Sequence, residues 1–133
     1  KLSPNVTNIV EIAKIVEEEG ADGIALINTL LGMAIDIKKM KPILGNIMGG
    51  LSGPAIKPVA LRMIYQVTQV VSIPVLGMGG ISSTKDAIEF FMAGASTISL
   101  WTGIFTNPIL PIEIKKGLEK YCVENNIDNI SEI

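Results

Sequence analysis

PVLGMGGISSTKDAIEFFMAGASTISLWTG, residues Pro74 to Gly103, reads as strand, glycine turn, helix, strand and second turn. Val75 and Leu76 begin a short apolar strand. Gly77, Gly79 and Gly80 follow, where the backbone can approach a ligand with no Cβ in the way. Ser83 with Asp86 three residues on has the form of a capping box, Asp standing for the usual Glu or Gln. Ala87, Ile88, Phe90 and Phe91 carry the helix to a stop at Gly94, and Thr97 to Leu100 form the next buried strand, which ends in Trp101, Thr102 and Gly103. Two strand ends then lie side by side with backbone N–H groups turned to one point. Such donors suit a phosphate, although the Gly-x-Gly-Gly pattern serves equally as a plain strand-to-helix turn. No Gly-Lys-Ser/Thr follows, so this is not a Walker loop.

The same unit recurs upstream. Setting Gly20 on Gly94 aligns GADGIALINT with GASTISLWTG without a gap, and brings Ile24 to Ile98, Leu26 to Leu100 and Asn28 to Thr102. Before it, Asn8 caps a helix with Ile9, Ile12, Ala13 and Val16 at helical spacing. Glu17, Glu18 and Glu19 oppose that helix dipole and read as a solvated face. Gly23 to Ile27 is a buried strand, and Lys1 to Asn5 reads as the end of another. Leu30 to Ser52 is the least regular stretch, a loop of the kind that often binds, with Met33 to Ile37 as a short extended piece. A helix from near Pro54 to about Val71 and a terminal helix, Ile112 to Asn125, complete the pattern. Ile114, Leu118 and Cys122 share one face of the terminal helix.

Four strands, each followed by a helix, make an α/β chain that fits half of an eightfold β/α barrel, an architecture of about 250 residues. An open three-layer α/β sheet is the rival arrangement. In either, ligand contacts gather at the strand ends, here Lys1, Asn28, Thr29, Gly79, Gly80, Trp101 and Thr102. Lys1 is a point charge for an anion or simply a solvated lysine. Asn28 offers donor and acceptor to a planar amide or imide, or caps its own loop.

Composition narrows the classes. The 133 residues are 48% hydrophobic with a mean hydropathy of +0.47, as expected of a sheet buried on both faces. No apolar run approaches the ~18 residues of a membrane span, and no signal peptide is legible, so a cytoplasmic protein is expected. A net charge of -2 with scattered Lys and Arg gives no nucleic-acid footprint. One cysteine excludes a disulfide framework, and the absence of histidine removes the commonest metal ligand and acid–base group. Cys122 and the six methionines read as packing.

KLSPN, GADGIALINTLLGMAIDI, GGLSGPAIKPVALRMIYQV, IPVLGMGGI and AGASTISLWTGIF, in this order and spacing, resemble the C-terminal half of dihydroorotate dehydrogenase, over nearly the whole chain. INTLLGMAIDI is more similar to the NAD-linked class 1B catalytic subunit than to the fumarate-linked class 1A. The resemblance implies one FMN-binding β/α-barrel domain of which residues 1–133 are the C-terminal half, the N-terminal half being absent. It implies oxidation of dihydroorotate to orotate in pyrimidine biosynthesis. By the same likeness, Lys1, Ile27 and Gly53 contact the flavin, Gly79, Gly80, Trp101 and Thr102 hold the FMN phosphate, and Asn28 and Thr29 bind the substrate ring. Trp101 departs from the Gly or Tyr of the family, and a bulky side chain is compatible with backbone holding only if it points away. The catalytic base is implied to be a cysteine of the other half, so no catalytic residue is expected here and the chain alone is expected to be inactive. The implied partners are a second copy of the full-length subunit and, for class 1B, an electron-transfer subunit carrying FAD and an iron-sulfur cluster. The alternatives are a related FMN-barrel dihydropyrimidine dehydrogenase and a non-catalytic half-barrel module.

Overall fold

Asn8 begins the first helix, α1 (Ile9–Glu18): its side-chain oxygen accepts from the N–H groups of Val10 and Glu11, satisfying donors that have no partner within the helix. The computed structural model describes all 133 residues. Gly20, at φ +91°, ends the turn after α1, and the chain enters β1 (Ile24–Leu26). Beyond an arm spanning residues 30–51, a short 3-10 turn (Pro54–Ile56) leads into α2 (Lys57–Thr68). Then come β6 (Val75–Met78), α3 (Thr84–Met92), β7 (Thr97–Ser99), the single turn α4 (Gly103–Thr106) and α5 (Leu110–Glu124).

Strands β1, β6 and β7 form one parallel sheet in that order. Ile24 is opposite Val75 and Leu76 opposite Thr97. Strand order follows chain order without reversal. The helices form a row in which α1 touches α2, α2 touches α3 and α3 touches α5. Ile24, Leu26, Ile64, Val67, Val75 and Phe90 are the largest fully buried side chains. Burying each removes apolar surface worth ~1.5–3 kcal/mol relative to exposure.

The segment Lys1–Asn5 is, as expected, only the end of a strand entering a loop. Leu2 alone joins the sheet: its N–H donates to Ala25 O at 2.8 Å and its carbonyl accepts from Asn28 N–H at 3.0 Å. Pro4, which has no N–H to donate, stands two residues on and the ladder stops. Glu17 is not merely solvated either. Its carboxylate accepts from the Ser72 N–H and hydroxyl, both at 2.7 Å, and from Ile73 N–H at 3.2 Å. These bonds hold its pKa below the ordinary carboxylate value, with the Ser72 hydroxyl as the largest cause, and they fasten the loop that feeds β6.

Leu30–Ser52 differs most from expectation. It is an antiparallel arm, not an irregular loop: β2 (Leu30–Met33) pairs with β5 (Met48–Leu51), and β3 (Ile35–Asp36) with β4 (Lys41–Pro42). Its turns carry Met40 at φ +50° and Ile47 at φ +67°; Gly45 lies in the turn before β5, while Gly32, Gly49 and Gly50 lie within the strands, Gly32 opposite Gly49. The arm leaves much apolar surface uncovered, Ile37 being 84% and Met40 87% exposed.

Candidate functional site

The carboxyl ends of β1, β6 and β7 open onto one cleft of about 550 Å³. All nine residues singled out from the sequence line it: Lys1, Ile27, Asn28, Thr29, Gly53, Gly79, Gly80, Trp101 and Thr102. Parallel pairing brings this about, because successive strands in one direction deliver their ends to one rim. Of the stretch Leu30–Ser52, only Ser52 lines the cleft.

Two turns supply the donors. After β6, Gly79 and Gly80 adopt φ +124° and +82°, a region that glycine enters without steric cost. The N–H groups of Gly79, Gly80 and Ile81 make no hydrogen bond within the chain, and neither do those of Trp101 and Thr102 after β7. Buried backbone donors are rarely left unpaired; of these five only that of Ile81 belongs to a buried residue, but all five cluster at two adjacent strand ends that line the same cleft. Among the 18 lining residues Lys1 is the only charged one, and no carboxylate is present. Hydroxyls of Thr29, Ser52, Ser99 and Thr102 add further donors. Such a wall suits an anion with several oxygens.

The opposite end is built from Asn28 and Thr29, held from outside the cleft. Asn5 Nδ2 donates to Thr29 O at 3.0 Å while Asn5 Oδ1 accepts from Leu31 N–H at 2.8 Å. Gly50 lies directly against the Thr29 side chain, leaving no room for a Cβ. The Asn28 amide and the Thr29 hydroxyl themselves bond to nothing in the chain and are free for a ligand with both donors and acceptors. Asn5 thus has a supporting role that its own spacing did not signal.

Trp101 does not turn away from the cleft. The residue is 65% exposed, and its ring lies under the Lys1 ammonium, whose Nζ is 5.3 Å from the ring centroid. A contact of this kind is worth ~0.5–1 kcal/mol at an exposed site. It holds the one cleft cation near the strand ends.

Behind the donor turns stands Asp86, which sequence spacing assigned only to a helix cap. Ser83 caps α3 as expected, accepting from Asp86 N–H at 3.2 Å, but the Asp86 carboxylate returns one residue further, to the N–H and hydroxyl of Ser82, each at 2.9 Å. Lys57 Nζ bridges Asp86 Oδ1 at 2.6 Å and Glu89 Oε2 at 2.7 Å. Burial alone would raise the Asp86 pKa, but the bonds from Lys57, Ser82 and Ser83 outweigh it and bring the value from 3.8 to about 2. The same carboxylates, Asp86 first, raise that of Lys57.

A folded value below the unfolded one means that Asp86 contributes stability above about pH 4 and loses it as pH falls through about 2. At ~1.4 kcal/mol per unit this is about 2 kcal/mol. Urea unfolding at intervals between pH 5 and 2 should show that loss, and Asp86→Asn should lack this component of the slope. An unchanged slope in the variant would show that other carboxylates carry the acid sensitivity.

Comparison with known proteins adds an independent finding. Residues 1–122 match the family described as Dihydroorotate dehydrogenase. The chain is similar to proteins named "Dihydroorotate dehydrogenase B (NAD(+)), catalytic subunit" from several bacteria. It is 59% identical over 133 residues to that of Brachyspira hyodysenteriae, 60% over 133 to that of Desulforamulus reducens, and 61% over 132 to that of a Geobacillus species. The alignments take in 100%, 100% and 99% of this chain but 44%, 44% and 42% of those relatives. The chain therefore spans somewhat under half their length.

Proposed function

The chain belongs to the dihydroorotate dehydrogenase family, and from that premise we propose that it forms the FMN- and substrate-binding half of an NAD-linked dihydroorotate dehydrogenase, folded as the C-terminal half of a β/α barrel. The observation that carries the reading is the cleft wall itself: five unpaired N–H groups at two strand ends, one lysine and no carboxylate. That donor set fits the phosphate of FMN. Unreversed strand order and a single row of touching helices favour a barrel over a doubly wound sheet, in which the order reverses.

FMN, when bound, supplies the acceptor for the hydride that leaves dihydroorotate C6 as a proton leaves C5. The chain's own residues bind and orient. Gly79, Gly80, Trp101 and Thr102 would hold the phosphate, and Ile27 and Gly53 would border the ring. Lys1 is a fixed cation, favouring negative charge wherever it develops beside it. Asn28 and Thr29 would grip the amide edges of the pyrimidine ring; Asn5 fastens the main chain at Thr29 and Leu31, and Leu2 O that at Asn28. No Cys, His, Asp or Glu lines the cleft, and Cys122 lies on α5 away from it. The proton acceptor is accordingly proposed to come from sequence outside these residues. The relatives' designation as NAD(+) catalytic subunits supports a separate electron-transfer partner carrying FAD and an iron-sulfur cluster.

The test uses the native polypeptide in which these residues occur. Bound flavin should be released as FMN, and dihydroorotate, not dihydrouracil, should be turned over. Asn28→Ala should lower kcat/KM for dihydroorotate by roughly 100-fold, since it leaves ring amide groups without partners, while FMN content stays constant. Turnover of dihydrouracil in preference to dihydroorotate would sink the assignment, and loss of FMN from Asn28→Ala would misplace the ring.

A further inference from the structure

Asp86 is the only charged residue of the chain that is buried, at 7% exposure, and neither it nor Lys57 lines the cleft. Together they join the two segments that do. Asp86 grips the main chain at Ser82, the end of the donor turn after β6. Lys57 is the first residue of α2 and directly follows the Gly53–Ile56 segment of the cleft wall. The junction is tight. A Cβ on Gly80 would stand 2.8 Å from Gly53 O and 2.9 Å from both Cβ and N of Lys57. No buried side-chain polar atom in the chain lacks a partner, so the network is complete as it stands.

Its charge argues for the kind of work it does. One ammonium between two carboxylates has a net charge of −1, the wrong sign to draw a phosphate to the neighbouring turn. Partly buried ion pairs also give little net stability over apolar replacements of similar shape. What the network does supply is direction, since each carboxylate oxygen of Asp86 is bonded to a named donor on a different segment.

We propose that Asp86 and Lys57 are positioning residues for the anion end of the cleft, clamping the Gly79–Ser82 turn against the Gly53–Lys57 segment so that the free N–H groups remain aimed at a phosphate. The inference rests on the FMN reading and predicts a selective defect. FMN and riboflavin differ only by the 5′-phosphate, so the ratio of their affinities isolates the anion end from the ring end. In the native polypeptide, stripped of flavin, both affinities are measured by quenching of flavin fluorescence. The unaltered protein should prefer FMN strongly. Asp86→Asn should weaken FMN by about tenfold or more, the scale of a sub-ångström to ångström misplacement, and leave riboflavin within about threefold.

Lys57→Met keeps the aliphatic stem, removes the other half of the clamp and should behave alike; it carries the test if Asp86→Asn does not fold. Glu89→Gln changes the net charge in the same direction as Asp86→Asn but spares the bonds to Ser82, and should leave the ratio unchanged. Equal losses for the two flavins, or a ratio unchanged in both clamp variants, would overturn the proposal and leave the network a structural one. A matching shift in Glu89→Gln would overturn it in favour of a plain charge effect. An unaltered protein that binds FMN no better than riboflavin would overturn the cofactor reading, and this inference with it.

Discussion

Gly80→Ala is expected to lower stability by about 3 kcal/mol and to abolish FMN binding. Two costs combine. At φ +82° an alanine is strained by ~1 kcal/mol. Its Cβ would also meet Gly53 O at 2.8 Å and the Cβ and N of Lys57 at 2.9 Å, mostly backbone that cannot rotate aside, and overpacking of that kind costs ~1–3 kcal/mol. Relief can come only by parting the turn from the start of α2, which displaces Gly79, Gly80 and Ile81 together.

Gly20→Ala is the matched control. Gly20 has nearly the same backbone, φ +91°, with nothing within 4 Å of its Cβ position, so it should lose only the ~1 kcal/mol of strain and keep its flavin. Urea unfolding and flavin titration of the two variants measure the difference. If Gly80→Ala loses no more than Gly20→Ala, the tight junction behind the cleft is not as described.

The β/α units were legible because their signals are local. Asn8 and Ser83 stand where helices begin, Gly20 and Gly94 take φ +91° and +95° where helices stop, and the short apolar runs between them have only a buried strand available to them. Strand ends and cleft residues followed, since parallel strands share a rim. The arm was illegible for an equally local reason. A hairpin is usually announced by Gly or Asn at its turns; Gly45 and Asn46 do stand in the turn before β5, but Met40 and Ile47 occupy the left-handed positions, and Gly32, Gly49 and Gly50 sit inside β2 and β5, where they mimic loop composition. Long-range polar partners left no trace either. Glu17 bonds Ser72 across 55 positions, Asn5 bonds Leu31 across 26, and Lys57 reaches Asp86 across 29. Spacing within one helix could give each residue a face but not a partner. Trp101 was visible as a departure; its contact with Lys1 was not, because that depends on how two side chains 100 positions apart meet across the rim.

Phe90→Ala is expected to cost about 4 kcal/mol, the range for emptying a fully buried aromatic site, because Phe90 is 0% exposed and its ring is what α3 lays against the sheet. The absent side chain of Gly77 makes the fit possible: a Cβ there would lie 2.8 Å from Phe90 Cδ1 and 3.1 Å from both Ala95 Cβ and Ile64 Cδ1. The glycine in the middle of β6 is therefore a packing requirement, distinct from the conformational one at Gly79 and Gly80. Asp86 and Phe90 are four residues apart on α3 and so share a face, which makes the ring the anchor that seats the clamp as well as the core. If that fit is the reason for both residues, the two substitutions must be coupled. Gly77→Ala alone overpacks the ring. In Gly77→Ala/Phe90→Ala the new methyl faces the vacated space, so the double variant should lose at least ~1 kcal/mol less than the sum of the single losses. Equilibrium unfolding of the four proteins in the cycle gives that coupling directly. Strict additivity would mean that the strand and the ring tolerate each other's changes independently, and that Gly77 is there for some reason other than Phe90.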